Sequence, residues 1–179
     1  MSEEAMIKRW QDQPMLQPRI EKVVVNLNVG KSGEPLEKAF KVLKEIAGQN
    51  PVKKNAKTSI REFGIRKGEP IACVVTLRRQ PAIDFLKKVL PVIDNKINKS
   101  SFDDRGNFAF GLKEHIEIPG VKYDPDVGIF GMDICVTLNR PGDRVNDRRK
   151  HKAKVGHKHV LTPEESILFT KQTLGVEIV

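Results

Sequence analysis

The sequence predicts an α+β fold: an antiparallel or mixed sheet with helices packed on one face and basic loops projecting from it. Three observations lead there. The strand candidates alternate on a two-residue period, apolar on one side and polar on the other, as half-buried strands of such a sheet do. The segments between them carry apolar residues at helical spacing. The cations gather in two stretches instead of spreading evenly over the chain.

The 179 residues suffice for a single domain spanning 1–179. Aromatic residues make up 6% of the chain, so the core must be mainly aliphatic. Net charge is +9, which favours phosphate-bearing partners. Cys73 and Cys135 lie in strand-like apolar runs and make neither a disulfide framework nor a cysteine zinc site. The N-terminus has no apolar signal core and no stretch approaches a membrane span, so the chain reads as cytosolic, with no membrane partner.

Residues 2–10 predict a short helix capped by Ser2, followed by a proline-bracketed linker over 13–18. Ile20 to Val29 is a strand, with Val23, Val25, Leu27 and Val29 on one face and Lys22, Val24, Asn26 and Asn28 on the other. Gly30-Lys31-Ser32-Gly33 precedes a helix carrying Leu36, Ala39, Phe40, Leu43, Ile46 and Ala47, with Gly48 as its C-terminal cap. Strand, Gly-Lys-Ser and helix in that order suggest a phosphate loop. That loop needs a glycine five residues before its Gly-Lys pair, and Val25 stands there.

Lys53, Lys54, Lys57, Arg61, Arg66 and Lys67 then crowd a glycine-broken segment with one acid, Glu62. Cations there would neutralise phosphates and release counterions. A plain solvated, charged loop fits the same residues, and charge alone does not separate the two readings. Ile71 to Leu77 is a second two-faced strand. Pro81 opens a helix that Pro91 should kink or restart. Residues 100–106 read as a polar loop. Phe108, Phe110 and Leu112 start a strand expected to run to Ile118. The segment Tyr123 to Gly128 reads as a plain turn, since Ile129 and Phe130 offer no side-chain oxygens to extend Asp124 and Asp126 into a calcium loop. A last strand places Ile134, Val136 and Leu138 opposite Asp133, Cys135, Thr137 and Asn139.

Residues 140–160 read as an extended basic arm. His151, His157 and His159 have no cysteine nearby to complete a zinc site and are read as part of that arm. Thr162-Pro163-Glu164-Glu165 starts a C-terminal helix over about 163–174, with Ile167, Leu168, Thr170 (or Lys171) and Leu174 facing inward and Gly175 ending it.

Asn26, Asn28, Thr76, Arg78 and Thr137 would share a polar sheet face if their strands are neighbours. They offer hydrogen bonds and no stacking, which suits structured RNA read through backbone and shape more than a single strand laid on aromatics. Asp103-Asp104, Asp124/Asp126 and Glu114-His115 show no nucleophile, metal or acid–base spacing. No catalysis, cofactor or metal is expected. A magnesium-dependent nuclease and a general polyanion or membrane-surface binder are the alternatives.

Four segments carry a resemblance: RIEKVVVNLNVG, AGQNPVKKNAKTSIREFGIRKGEPIACVVTLR, SFDDRGNFAFGLKEHI and YDPDVGIFGMDICVTL. Together they resemble the universal 5S rRNA-binding family of the large ribosomal subunit, ribosomal protein five, or eleven in eukaryotic numbering. The tail RRKHKAKVGHKHVLTPEE is similar to its archaeal and eukaryotic branch, and the whole to the archaeal type. The resemblance implies a structural role on the cytoplasmic ribosome: holding 5S rRNA to the central protuberance, beside large-subunit rRNA and other central-protuberance proteins. It carries 5S contacts onto Asn26, Gln49, Phe63, Arg66, Gly68, Thr76 and Arg78. It implies a loop reaching peptidyl-site tRNA at Ser59, Arg61, Gly64 and Lys67. Further rRNA contacts are expected at Lys53, Lys54, Lys57, Arg148, Arg149, Lys150, Lys152 and Lys154. One departure is Asn28, where many members have glycine, so the backbone there should not need a strongly positive φ.

Overall fold

The computed structural model describes residues 3–121, 125 and 128–179. Helix α1 (Glu3–Asp12) buries Met6 and Trp10, one turn apart, and a 3-10 turn at Pro14–Leu16 fills the linker. Strand β1 (Arg19–Asn28) follows, then α2 (Glu34–Ala47), β2 (Val52–Asn55) and β3 (Pro70–Arg78). Next come α3 (Gln80–Val89), the two-residue β4 (Lys96–Ile97) and β5 (Phe108–Leu112). The chain closes with β6 (Met132–Asn139), the single turn α4 (Arg144–Asp147), α5 (Pro163–Leu174) and β7 (Glu177–Ile178).

Five strands form one antiparallel sheet in the order β2-β3-β1-β6-β5. β1 is the middle strand. Its Val23, Val25 and Leu27 are fully buried, as are Cys73 and Leu77 of β3 and Ile134 of β6. Leu36, Ala39 and Leu43 of α2 and Ala82, Leu86 and Val89 of α3 close over that side. The predicted α+β architecture, with helices on one face of an antiparallel sheet, is the one found.

The helix ends follow their sequence signals. Gly48 and Gly175 cap α2 and α5 in the left-handed conformation, and Thr162 and Glu165 form the predicted capping box. Pro91 restarts the chain after α3 as a 3-10 turn over Leu90–Ile93. Asn28 is an ordinary strand residue paired with Ala72, and it is absent from the residues with positive φ.

Four expectations change. β2 is a strand, though its lysines read as loop; an edge strand with lysines is protected from unwanted pairing. β5 stops at Leu112, because the chain turns to bury His115, whose backbone N–H donates to the Phe130 carbonyl and whose Nδ1 accepts from the Phe130 N–H. β4 and β7 pair in parallel and tie the C-terminus down, a contact too short to signal itself. α5 buries Ser166, Leu168, Phe169 and Thr170, while Ile167 and Leu174 are only partly covered. The hydroxyls of Ser166 and Thr170 donate to the carbonyls one turn back, which lets polar residues face inward. Ser2 and most of the 123–128 turn lie outside the described residues.

Gly106 explains the close packing of α5. It has φ +76°, and a Cβ there would meet Ser166 Oγ at 1.8 Å. The base of the basic arm is held by a buried ion pair. Arg140 Nη2 donates to Glu165 Oε2 at 2.6 Å, with side chains 2% and 4% exposed. Arg140 Nη1 also donates to the carbonyls of Lys158 and Val160, both at 3.4 Å. One arginine therefore joins the end of β6, the returning limb of the arm and the first turn of α5. The arm is anchored at its base instead of hanging free.

Removing one partner of a buried pair leaves the other charge uncompensated. Arg140→Ala should lower unfolding free energy by about 3–5 kcal/mol in urea denaturation. Gly106→Ala should also be destabilising, by about 1–3 kcal/mol through overpacking and strained φ. Wild-type midpoints for both variants would refute this account of the α5 end.

Candidate nucleic-acid interface

The face of the sheet away from the helices is uncovered. Register places its side chains in rows across the strands. One row reads Lys54, Ala72, Asn28. The next reads Val52, Val74, Asn26, Asp133, Gly111. A third reads Thr76, Val24, Cys135, Ala109, and a fourth begins Arg78, Lys22, Thr137. The predicted polar set Asn26, Asn28, Thr76, Arg78 and Thr137 does share one surface. Its apolar members are valine, alanine and the thiol of Cys135, so the surface is low and has no aromatic ring. Asn26, Asn28 and Thr76 have no side-chain hydrogen-bond partner among the described residues.

Arg78 is positioned by Glu21. Its Nη1 lies 3.2 Å from Glu21 Oε1, and Glu21 Oε2 accepts from Asn139 Nδ2 at 3.2 Å. A bulge between Ile20 and Lys22 brings Glu21 to this edge. Arg78 is largely exposed and Glu21 partly covered, so solvent still screens the pair and a phosphate can replace the carboxylate at small cost.

The basic loop is a built hairpin that prolongs β2 and β3. Ala56 N–H donates to the Glu69 carbonyl and Gly68 N–H to the Ala56 carbonyl. Ile60 and Ile65 exchange both backbone bonds, and Gly64, at φ +67°, turns the tip through a bond to the Arg61 carbonyl. Lys67 N–H donates to Ser59 Oγ at 2.9 Å. Phe63 stands at the tip with 69% of its surface exposed. Ser59, Arg61, Arg66, Lys67 and Gly68 are all exposed beside it.

Glu69 fastens the hairpin root. Its carboxylate accepts from the Ser32 hydroxyl and from the Arg66 N–H. The Gly-Lys-Ser segment that imitates a phosphate loop thus serves as a strut. The Ser32 hydroxyl first, then the Arg66 N–H, hold the Glu69 carboxyl below the usual glutamate range.

Not every predicted contact reaches the same surface. Lys53 turns to the helix side, where it pairs with Glu37 and lies 5.5 Å from the Phe40 ring centre. Gln49 is exposed just past the α2 cap, in a shallow hollow with Lys41, Lys44 and Asn50. Lys54 and Lys57 are exposed along the hairpin's first limb. Arg148, Arg149, Lys150, Lys152 and Lys154 form a separate exposed basic stretch, with Arg148 Nε donating to the His151 carbonyl. Sequence reasoning missed Glu21 and Glu69, and it placed Asp133 on the outer strand face without joining it to the polar set. Glu21 and Glu69 sit at a bulge and a strand edge, which carry no periodic signal.

An open, hydrogen-bonding sheet face with a basic hairpin at one end defines a class: a binding protein with a surface suited to a structured polyanion. Among the described residues no group of His, Cys, Asp and Glu is placed to hold a metal ion. The family model for Ribosomal protein L5 matches residues 13–66, and the model for the C-terminus of the same ribosomal family matches residues 70–169. A Large ribosomal subunit protein uL5 from Pyrobaculum aerophilum is 56% identical over 165 residues, covering 92% of each chain. One from Aeropyrum pernix is 48% identical over 97% of this chain and 91% of its own. One from Nanoarchaeum equitans is 50% identical over 94% of this chain and 99% of its own. The chain belongs to the ribosomal protein L5 family and is of its archaeal type. It is a structural ribosomal protein and not an enzyme, and its place is the ribosome in the cytoplasm.

Because the folded Glu69 carboxyl titrates below its unfolded value of about 4.3, its support is complete above that pH. Support is lost as pH falls through the lower folded value. Amide exchange at residues 56–69, taken relative to the intrinsic rate at each pH, should therefore quicken in that acid window. Glu69→Gln should quicken it already at pH 7, and equal exchange in variant and wild type would remove Glu69 from this role.

Proposed function

We propose that this chain is a structural constituent of the large ribosomal subunit that binds 5S rRNA through its open sheet face and attaches it to the central protuberance. The single observation that carries the reading is that face: unpartnered Asn26 and Thr76, with Arg78 at its edge, on a surface without aromatics. Such a surface suits folded RNA, whose backbone and 2′-hydroxyls present donors and acceptors across a broad contact. Family membership and relatives named as large-subunit proteins support it.

Asn26, Thr76 and Arg78 act from the sheet. Gln49 acts from the α2 end, and Phe63, Arg66 and Gly68 act from the hairpin. The hairpin tip at Ser59, Arg61, Gly64 and Lys67 reaches toward peptidyl-site tRNA. Lys54, Lys57 and the arm cations Arg148, Arg149, Lys150, Lys152 and Lys154 meet large-subunit rRNA or a neighbouring central-protuberance protein. Lys53, held by Glu37, is the weakest of these contacts.

The test is binding of the purified protein to folded 5S rRNA across a salt series, with an unrelated folded RNA of equal length as competitor. Preference for 5S should persist near physiological salt. Equal binding to both RNAs that collapses steeply with salt would leave only non-specific phosphate contact. Thr76→Val and Asn26→Ala should each weaken 5S binding by about 1–3 kcal/mol while folding stays intact. Arg61→Ala should spare 5S binding and weaken only the tRNA contact.

A further inference from the structure

The open face carries one acid that an electrostatic interface does not explain. Asp133 lies on β6 directly across from Asn26 and next to Gly111 of β5. It is exposed, and its carboxylate has no hydrogen-bond or ion-pair partner among the described residues. A Cβ at Gly111 would start 3.7 Å from Asp133 Oδ1, so glycine leaves that flank of the carboxylate open. Val24, Val74, Cys135 and Ala109 around it are short, so a planar group can settle onto the row.

A bare carboxylate repels phosphate. In a face that meets RNA it must either weaken binding or find donors. Directly opposite positions in an antiparallel pair hold their Cβ atoms about 4.5–5.5 Å apart. Asn26 and Asp133 therefore present, side by side, an amide that can donate and a carboxylate that accepts twice. Among the nucleobases, the Watson–Crick edge of guanine alone has two adjacent N–H donors, N1–H and the N2 amino group, with the O6 acceptor beside them. Uracil, cytosine and adenine each offer one donor position on that edge.

We propose that Asn26 and Asp133 form a base-reading subsite for one unpaired guanine of the bound RNA. Asp133 accepts from N1–H and N2–H, and the Asn26 amide donates to O6. Asp133 is then a specificity-determining residue on a face otherwise read through shape. The inference rests on the 5S-binding reading above.

The experiment compares the full-length wild type with Asp133→Asn and Asp133→Ala on 5S rRNA and on the unrelated RNA, across a salt series. Thermal unfolding confirms that each variant is folded. Loss of a bidentate base contact should weaken 5S binding by about tenfold or more. The slope of log affinity against log salt should stay unchanged, and binding to the unrelated RNA should not fall. A solvated acid among phosphates gives the opposite sign: neutralising it tightens binding to both RNAs, and that result overturns the proposal.

A second readout uses 5S transcripts carrying sparse inosine, which lacks the N2 amino group. Inosine at one unpaired guanine should lower retention by the wild type and not by Asp133→Ala. Interference from 2′-deoxy substitution alone would assign the carboxylate to a ribose hydroxyl and overturn the guanine subsite. If the wild type shows no preference for 5S, the broader reading fails. If that preference is intact and Asp133→Asn leaves it untouched, only the subsite fails.

Discussion

A strand in an open sheet has two faces and, in a chain of this size, core enough for one. That constraint governs this molecule. β1 places Val23, Val25 and Leu27 against the helices, and the two-residue period then forces Val24, Asn26 and Asn28 onto the other side. A slip of one residue would bury the asparagines and expose the valines, so the register is strongly held. With α2 and α3 closing one side, the opposite surface stays open as a by-product of core formation, and it is available for a ligand.

The two basic projections are mounted on that frame by a small number of polar fastenings. Glu69, reached by Ser32 and by the Arg66 N–H, roots the hairpin beyond β2 and β3. Arg140 and Glu165 close the base of the arm, and Glu165 also caps α5. In each case one carboxylate does two jobs, serving both a backbone N–H and a second partner from a distant part of the chain. Charge-assisted bonds of this kind are among the stronger ones. They let short hydrophilic segments hold a defined path without a core of their own.

The distribution of charge separates tasks. Lys53 is committed to α2 through Glu37 and Phe40, and Arg78 rests against Glu21 at the sheet edge. The cations of the hairpin and of the arm beyond Arg140 stand exposed to solvent. The centre of the sheet face, by contrast, is uncharged apart from Asp133. On the proposed 5S-binding reading, the cations at the rim hold the phosphates and the hydrogen-bonding groups at the centre discriminate.

The local rules are written in the sequence. Alternation along 20–29, 71–77 and 133–139 established the strands and their two faces. Glycine, proline and the Thr162–Glu165 box marked the helix ends, and the cation clusters located both basic projections. Those signals act over a few residues, so a single sequence displays them. Only the tertiary structure decided the rest. It made β2 a strand by pairing it with β3, and it ended β5 early by burying His115. It turned Lys53 away from the open face, closed the arm through Arg140 and Glu165, and set Asp133 beside Asn26. Each of these joins residues far apart in the chain. Their geometry is fixed by register and packing across the sheet, which no local period encodes.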